Sequence, residues 1–214
     1  MERGGGGRPA ELATSAREAL RALREREVLR WLALLQLSDL MLDVFHGYLA
    51  LYFVDVAGAG GGGAAAAILV WTGFGLVGEA LLIPLLERVR GTTHVRVSAA
   101  AALVVFPCFL LVEETAAKLA LVALLALCGS GWYAVLKGRL YGALPGRSAT
   151  ALTLANVAGI FGAGLPLLVG LAAQRLGLGV ALWLLLAAPV GLLMGAGGKA
   201  PRTLSGRGSE SGAP

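Results

Sequence analysis

Six apolar runs separated by short polar interruptions occupy this chain from Leu29 to Met194. They are Leu29–Val54, Ala64–Leu86, Val95–Val112, Ala117–Leu136, Thr150–Ala173 and Leu178–Met194. A helix needs ~20 residues at ~1.5 Å each to cross a hydrocarbon layer of about 30 Å. Each run therefore predicts a transmembrane helix, the third and sixth being the shortest. The expected fold is all-α, with a six-span membrane domain over 31–197.

The flanks follow other patterns. Residues 1–9 are a Gly-rich lead, and Glu11 to Arg30 mixes Leu12, Leu20, Leu23 and Val28 with Arg, Glu and Ala. That mixture predicts an interfacial helix within a cytoplasmic segment 1–30. The first 28 residues contain no apolar core of a signal peptide, so the first span is expected to serve as the insertion signal. Residues 198–214 are Gly, Ser and Pro with scattered charge, the composition of a disordered cytoplasmic tail.

Composition excludes a soluble domain. With 57% hydrophobic and 14% charged residues and a mean hydropathy of +0.77, the chain lacks the polar residues to cover a water-exposed surface. Its net charge of +5 comes from 18 basic and 13 acidic residues. Arg3, Arg8, Arg17, Arg21, Arg24, Arg26 and Arg30 precede the first span. Arg88, Arg90 and Arg96 follow the second, Lys137, Arg139 and Arg147 follow the fourth, and Lys199, Arg202 and Arg207 lie in the tail. The opposite connections carry Lys118 and Arg175 alone. By the positive-inside rule both termini are cytoplasmic, in an inner or plasma membrane. Glu18, Glu25 and Glu27 offset the N-terminal arginines, so nucleic acid is not an expected partner.

Function then rests on the polar groups kept within the apolar runs. Gln36, Asp39, Asp43 and His46 share one helical face of the first span. Asp39 is expected ~12 Å and Asp43 ~18 Å from Trp31 along the helix. Glu79, in the second span, is expected at a depth close to that of Asp39. A carboxylate in mid-bilayer costs ~2.5–3.5 kcal/mol on insertion scales, so these groups need partners or water. One reading is a proton- or cation-coupled pathway lined by Asp39, Asp43, His46, Glu79 and Asn156. The other is polar packing between helices. Cys108 and Cys128 read as small buried apolar residues. The chain shows no catalytic arrangement, cofactor motif or metal-ligand set, and His94 is expected in a cytoplasmic connection apart from His46.

Three further features bear on architecture. Ala158, Gly162, Pro166 and Gly170 recur every fourth position in the fifth span, a row for close helix packing, with Pro166 expected to bend it as a hinge. Glu87 and Arg88, at the end of the second span, suit a charge lock between helix ends. Trp132, Tyr133 and Tyr141 read as an interfacial aromatic belt.

In this order the landmarks resemble the C-terminal six-helix half of a major facilitator superfamily transporter. The Arg-rich segment before Trp31 looks like the end of that family's central cytoplasmic loop. Glu87-Arg88-Val89-Arg90-Gly91 is similar to its acid, base, any residue, glycine signature, one residue longer here. Tyr141–Ser148 followed by Gly159–Gly170 looks like its tenth-to-eleventh helix passage. The resemblance covers about Ala16–Leu193. It implies two three-helix repeats of inverted topology and secondary transport of a small solute. Because the family binds substrate between two halves, the resemblance leaves open a fragment of such a transporter, a half that pairs with a second six-helix half, or a homodimer. A non-transporting assembly or regulatory protein of the membrane is the alternative.

Overall fold

The computed structural model describes Arg21 and residues 23–197. Most of the segment expected as an interfacial helix, and all of the tail expected as disordered, lie outside the described residues. Among the described residues the chain forms six successive helical rods and no strand. Rod 1 runs through α1 (Arg26–Asp39), a wider π-helical turn (Leu40–Val44) and α2 (Phe45–Asp55). Rods 2 and 3 are α3 (Gly60–Arg88) and α4 (Gly91–Leu111). Rod 4 is split into α5 (Thr115–Gly129) and α6 (Trp132–Ala143), and rod 5 into α7 (Ser148–Gly162) and α8 (Gly164–Leu176). Rod 6 comprises α9 (Leu178–Ala181), a 3₁₀ turn (Leu182–Leu186) and α10 (Ala187–Gly195).

Rods 2 to 6 are the five helices long and apolar enough to cross a membrane, the architecture of a multi-pass membrane protein. Rod 1 is not among the five, and it carries Gln36, Ser38, Asp39, Asp43 and His46 along its middle. It is nonetheless the best-sheltered rod in its apolar positions. Leu35, Met41, Val44, Phe45, Leu49, Tyr52 and Phe53 are almost wholly buried, with rods 2, 4, 5 and 6 packed around them.

Glycines set the close approaches. A Cβ at Gly195 would stand 2.2 Å from Leu34, and one at Gly191 2.4 Å from Leu37, so rod 6 lies directly on α1. Packing of this kind holds helices together where lipid removes the hydrophobic drive. Around Phe45 a cluster of edge-to-face aromatic pairs with Trp71, Phe106 and Phe109, at 5.2–5.4 Å, joins rods 1, 2 and 3.

Burial differs sharply among the rods. The buried share of the most apolar stretch is 17% in rod 2 and 18% in rod 5, against 39% in rods 3 and 6 and 50% in rod 4. Rod 2 turns Leu69, Leu76 and Ile83 outward along its whole length.

Several expectations are corrected. Trp132 is not at an interface. It is wholly buried at the start of α6, because rod 4 continues to Ala143 instead of ending at Leu136. Lys118 is not a loop residue, since the connection between α4 and α5 shrinks to Val112–Glu114 and takes Lys118 into the bundle. His94 lies inside α4, which begins at Gly91. Cys108 is exposed, whereas Cys128 is buried as expected. Among the described residues Glu87 and Arg88 make no ion pair; both are exposed, and the one pair present is Arg147 to Glu25 at 3.2 Å.

Candidate functional site

Rod 1 turns its polar side chains to two sides. Towards rods 2 and 4, Asp43 and His46 meet Glu79 in one open cleft of about 170 Å³. Trp71, Gly75, Gly129 and Ser130 complete its wall. The His46 ring stacks on Trp71, with centroids 6.2 Å apart and planes 20° apart. Asp43 and Glu79 are exposed on the flank of the bundle, and among the described residues Asp43 has no hydrogen-bond or ion-pair partner. The structure thus brings together three of the five expected pathway residues.

The π turn sits at this point. A π turn widens the helix at Leu40–Val44 and interrupts the regular backbone ladder between Asp39 and His46. It gives the acids their separate settings. Asp39 is half-buried outside the cleft, where its Oδ2 accepts from Gln36 Nε2 at 3.1 Å. Asn156, the fifth expected residue, is exposed on α7 and takes no part in the cleft.

Glu79 has a second role that the sequence reading missed. Its Oε1 accepts the backbone N–H of Gly131 at 2.8 Å. Gly131, at φ 77°, lies in the left-handed region that a residue with a Cβ adopts only at a cost, and it opens the helix between α5 and α6. Glu79 therefore places a carboxylate against the positive end of α6. Other groups close the rest of the gap. His94 Nε2 meets the Ser130 carbonyl at 3.1 Å, and Ser130 Oγ donates to the Leu127 carbonyl at 2.7 Å. Trp132 Nε1 donates to Ser98 Oγ at 2.7 Å, and Ser98 Oγ donates to the His94 carbonyl at 2.9 Å. The visible signal was Gly129-Ser130-Gly131 inside an apolar run, a breaker pattern.

The fifth-rod residues lie on the other side. Rod 5 breaks at Ala163, one turn before Pro166, which supplies no N–H to the carbonyl four residues back. A Cβ at Gly162 would lie 2.2 Å from Gln36 Oε1, and one at Gly170 2.6 Å from the Tyr48 hydroxyl. Tyr48 donates to the Pro166 carbonyl at 2.9 Å. Gly162, Pro166 and Gly170 thus form the strip on which the polar side of rod 1 rests.

Two basic side chains fasten helix ends. Arg30 donates from Nε to the Gly195 carbonyl at 2.7 Å and from Nη2 to the same atom, capping the C-terminus of α10. At the other end Lys118 is buried and donates to the Phe109 carbonyl at 3.0 Å, in the last turn of α4, and to Tyr52 Oη at 2.8 Å. Its ammonium also lies 4.9 Å from the Tyr52 ring centre and 5.2 Å from that of Phe109.

Among the described residues no group of three or more His, Cys, Asp or Glu side chains is arranged to hold a metal ion. No protein-family model, curated protein or solved structure matches the chain.

Proposed function

We propose that this chain is one six-span half of a secondary transporter, moving a small solute in exchange or in company with protons or another small cation. The observation that carries the reading is the open cleft in which Asp43, His46 and Glu79 lie together on the flank of the bundle. Charges on the outside of a membrane bundle are costly against lipid. Water in a cavity shared with a second half removes that cost. The sparse burial of rods 2 and 5 supports the same view, because these rods have the most surface left to give to a partner. A second copy of the chain is the simplest partner, with both termini cytoplasmic in an inner or plasma membrane.

Rod 1 counts as the sixth span in this proposal, and rods 1–3 and 4–6 as inverted repeats. The matched burial of rods 2 and 5, and of rods 3 and 6, supports that pairing. So does the interruption of rods 1 and 4 near their middles, and so do the two caps. Arg30, at the start of rod 1, closes the end of rod 6, and Lys118, at the start of rod 4, closes the end of rod 3.

The test is assembly and access. In mild detergent the particle should contain twice the 21.8 kDa of one chain. In intact membranes a water-soluble thiol reagent should label Gly60→Cys from outside but not Thr92→Cys, and should reach Asp43→Cys. A stable monomer whose Asp43→Cys resists the reagent would refute the half-transporter reading.

A further inference from the structure

Among the described residues Gln36 is the one whose side chain holds a buried polar atom without a hydrogen-bond partner. Its Nε2 donates to Asp39 Oδ2 at 3.1 Å, yet among the described residues its buried Oε1 meets no donor. A buried amide oxygen left unpaired has lost its water without gaining a donor, so a partner there is favoured. The same oxygen is pressed against Gly162, where a Cβ would be 2.2 Å from Oε1 and 3.2 Å from Nε2. Gly162 is the last residue of α7, and Pro166 denies its carbonyl the N–H that an unbroken helix would supply. One amide therefore lies between a carboxylate and the break in rod 5.

From this geometry we infer that Gln36 is a positioning residue that relays the protonation of Asp39 to the hinge of rod 5. With Asp39 ionised, its oxygen can only accept, so Gln36 must present Nε2 to it and leave Oε1 facing the break. With Asp39 protonated, its O–H donates to Gln36 Oε1. The amide then turns over and presents Nε2 to the Gly162 carbonyl, which Pro166 leaves without its helical donor. The proton moves only onto Asp39; every other change is an exchange of hydrogen-bond partners. Acidification thereby fastens the break to rod 1, and ionisation releases it. The inference rests on the transporter reading for its use, but its chemistry stands without it.

Other titratable groups lie near enough to be separated by the test. Asp43 is one turn further along rod 1, and His46 and Glu79 are in the cleft. On α6, packed against α1, are Tyr133, Lys137, Arg139 and Tyr141, whereas α7 and rod 6 carry no ionisable side chain within their helices. Arg175 stands at the far end of α8.

The experiment measures the distance between spin labels at Leu152→Cys and Leu171→Cys, on exposed positions either side of the break, with Cys108→Ser and Cys128→Ala in the full chain. It is read at about pH 5 and about pH 8, values on either side of the range in which a carboxylate held back from water by burial titrates. The unmutated relay should give a distance that shifts with pH. Asp39→Asn, whose amide can donate to Oε1 at any pH, should hold the acid distance throughout. Gln36→Met should lose the shift while melting near the parent temperature. Pro166→Ala gives Gly162 its N–H back, so it should lose the shift with Asp39 and Gln36 intact, a result that stands even if Gln36→Met folds poorly. A shift that persists in Pro166→Ala, or one that is absent from the parent, overturns the relay. A relay that responds to pH in a chain that transports nothing would instead remove the transporter reading and leave the relay standing.

Discussion

Rods 1 and 4 both run through the middle of the bundle and both lose regular α-geometry halfway, yet they treat the freed polar groups in opposite ways. In rod 4 the gap at Ser130–Gly131 is closed by Glu79, His94, Ser98 and Trp132, which come from three rods. Rod 1 keeps Asp43 exposed and, among the described residues, leaves Gln36 Oε1 unpaired. Buried polar groups that are all satisfied rigidify a fold, whereas those left open mark places where a ligand, a proton or a movement completes the bonding. The contrast assigns stability to the break in rod 4 and chemistry to the widened turn in rod 1.

Substitutions of Gly131 and Trp132 in the closed break should therefore lower stability without a specific effect on chemistry, whereas Glu79 belongs to the break and to the cleft. The largest effect is expected at Gly131→Ala. Its Cβ would meet Leu82 Cδ2 at 2.3 Å, in a left-handed backbone. A loss of about 2–4 kcal/mol should follow, read as a fall in melting temperature. Trp132→Phe removes the buried donor to Ser98 and leaves a gap in the core, at a cost of about 1–3 kcal/mol. Glu79→Gln keeps an oxygen for Gly131 but drops the charge at the start of α6, and should cost about 1 kcal/mol by the same thermal measurement. Asp43→Asn should change stability by less than ~0.5 kcal/mol, because the side chain is exposed and has no partner to lose among the described residues. A large destabilisation by Asp43→Asn would erase the distinction between the two rods.

The apolar runs made the membrane architecture legible, since length and hydropathy alone require helices that satisfy their own backbone in lipid. The spacing of Asp43 and His46, and the depth of Glu79, were enough to bring those three together. What the pattern could not convey was local departure from a uniform helix. Three-residue and four-residue offsets place Gln36, Asp39, Asp43 and His46 on one face only if the turn is regular, and the π turn at Leu40–Val44 separates Asp39 from the cleft. Lys118 and Trp132 were misplaced for a related reason. Hydropathy gives the apolar middle of a span but not the polar ends that the bundle shelters, so a lysine capping Phe109 reads as a loop cation. Pro166 was legible as an interruption of the helix because its missing N–H acts whatever surrounds it.

The central claim is that the open cleft beside rod 1 moves protons coupled to a solute. It is tested most directly in liposomes that hold the full chain and an entrapped pH dye, challenged with a library of small solutes. The account predicts that at least one solute class evokes proton movement with the parent chain. It further predicts that Asp43→Asn, with an unchanged melting temperature, abolishes the response. A folded parent chain that answers no solute, or an Asp43→Asn protein that responds like the parent, would contradict it.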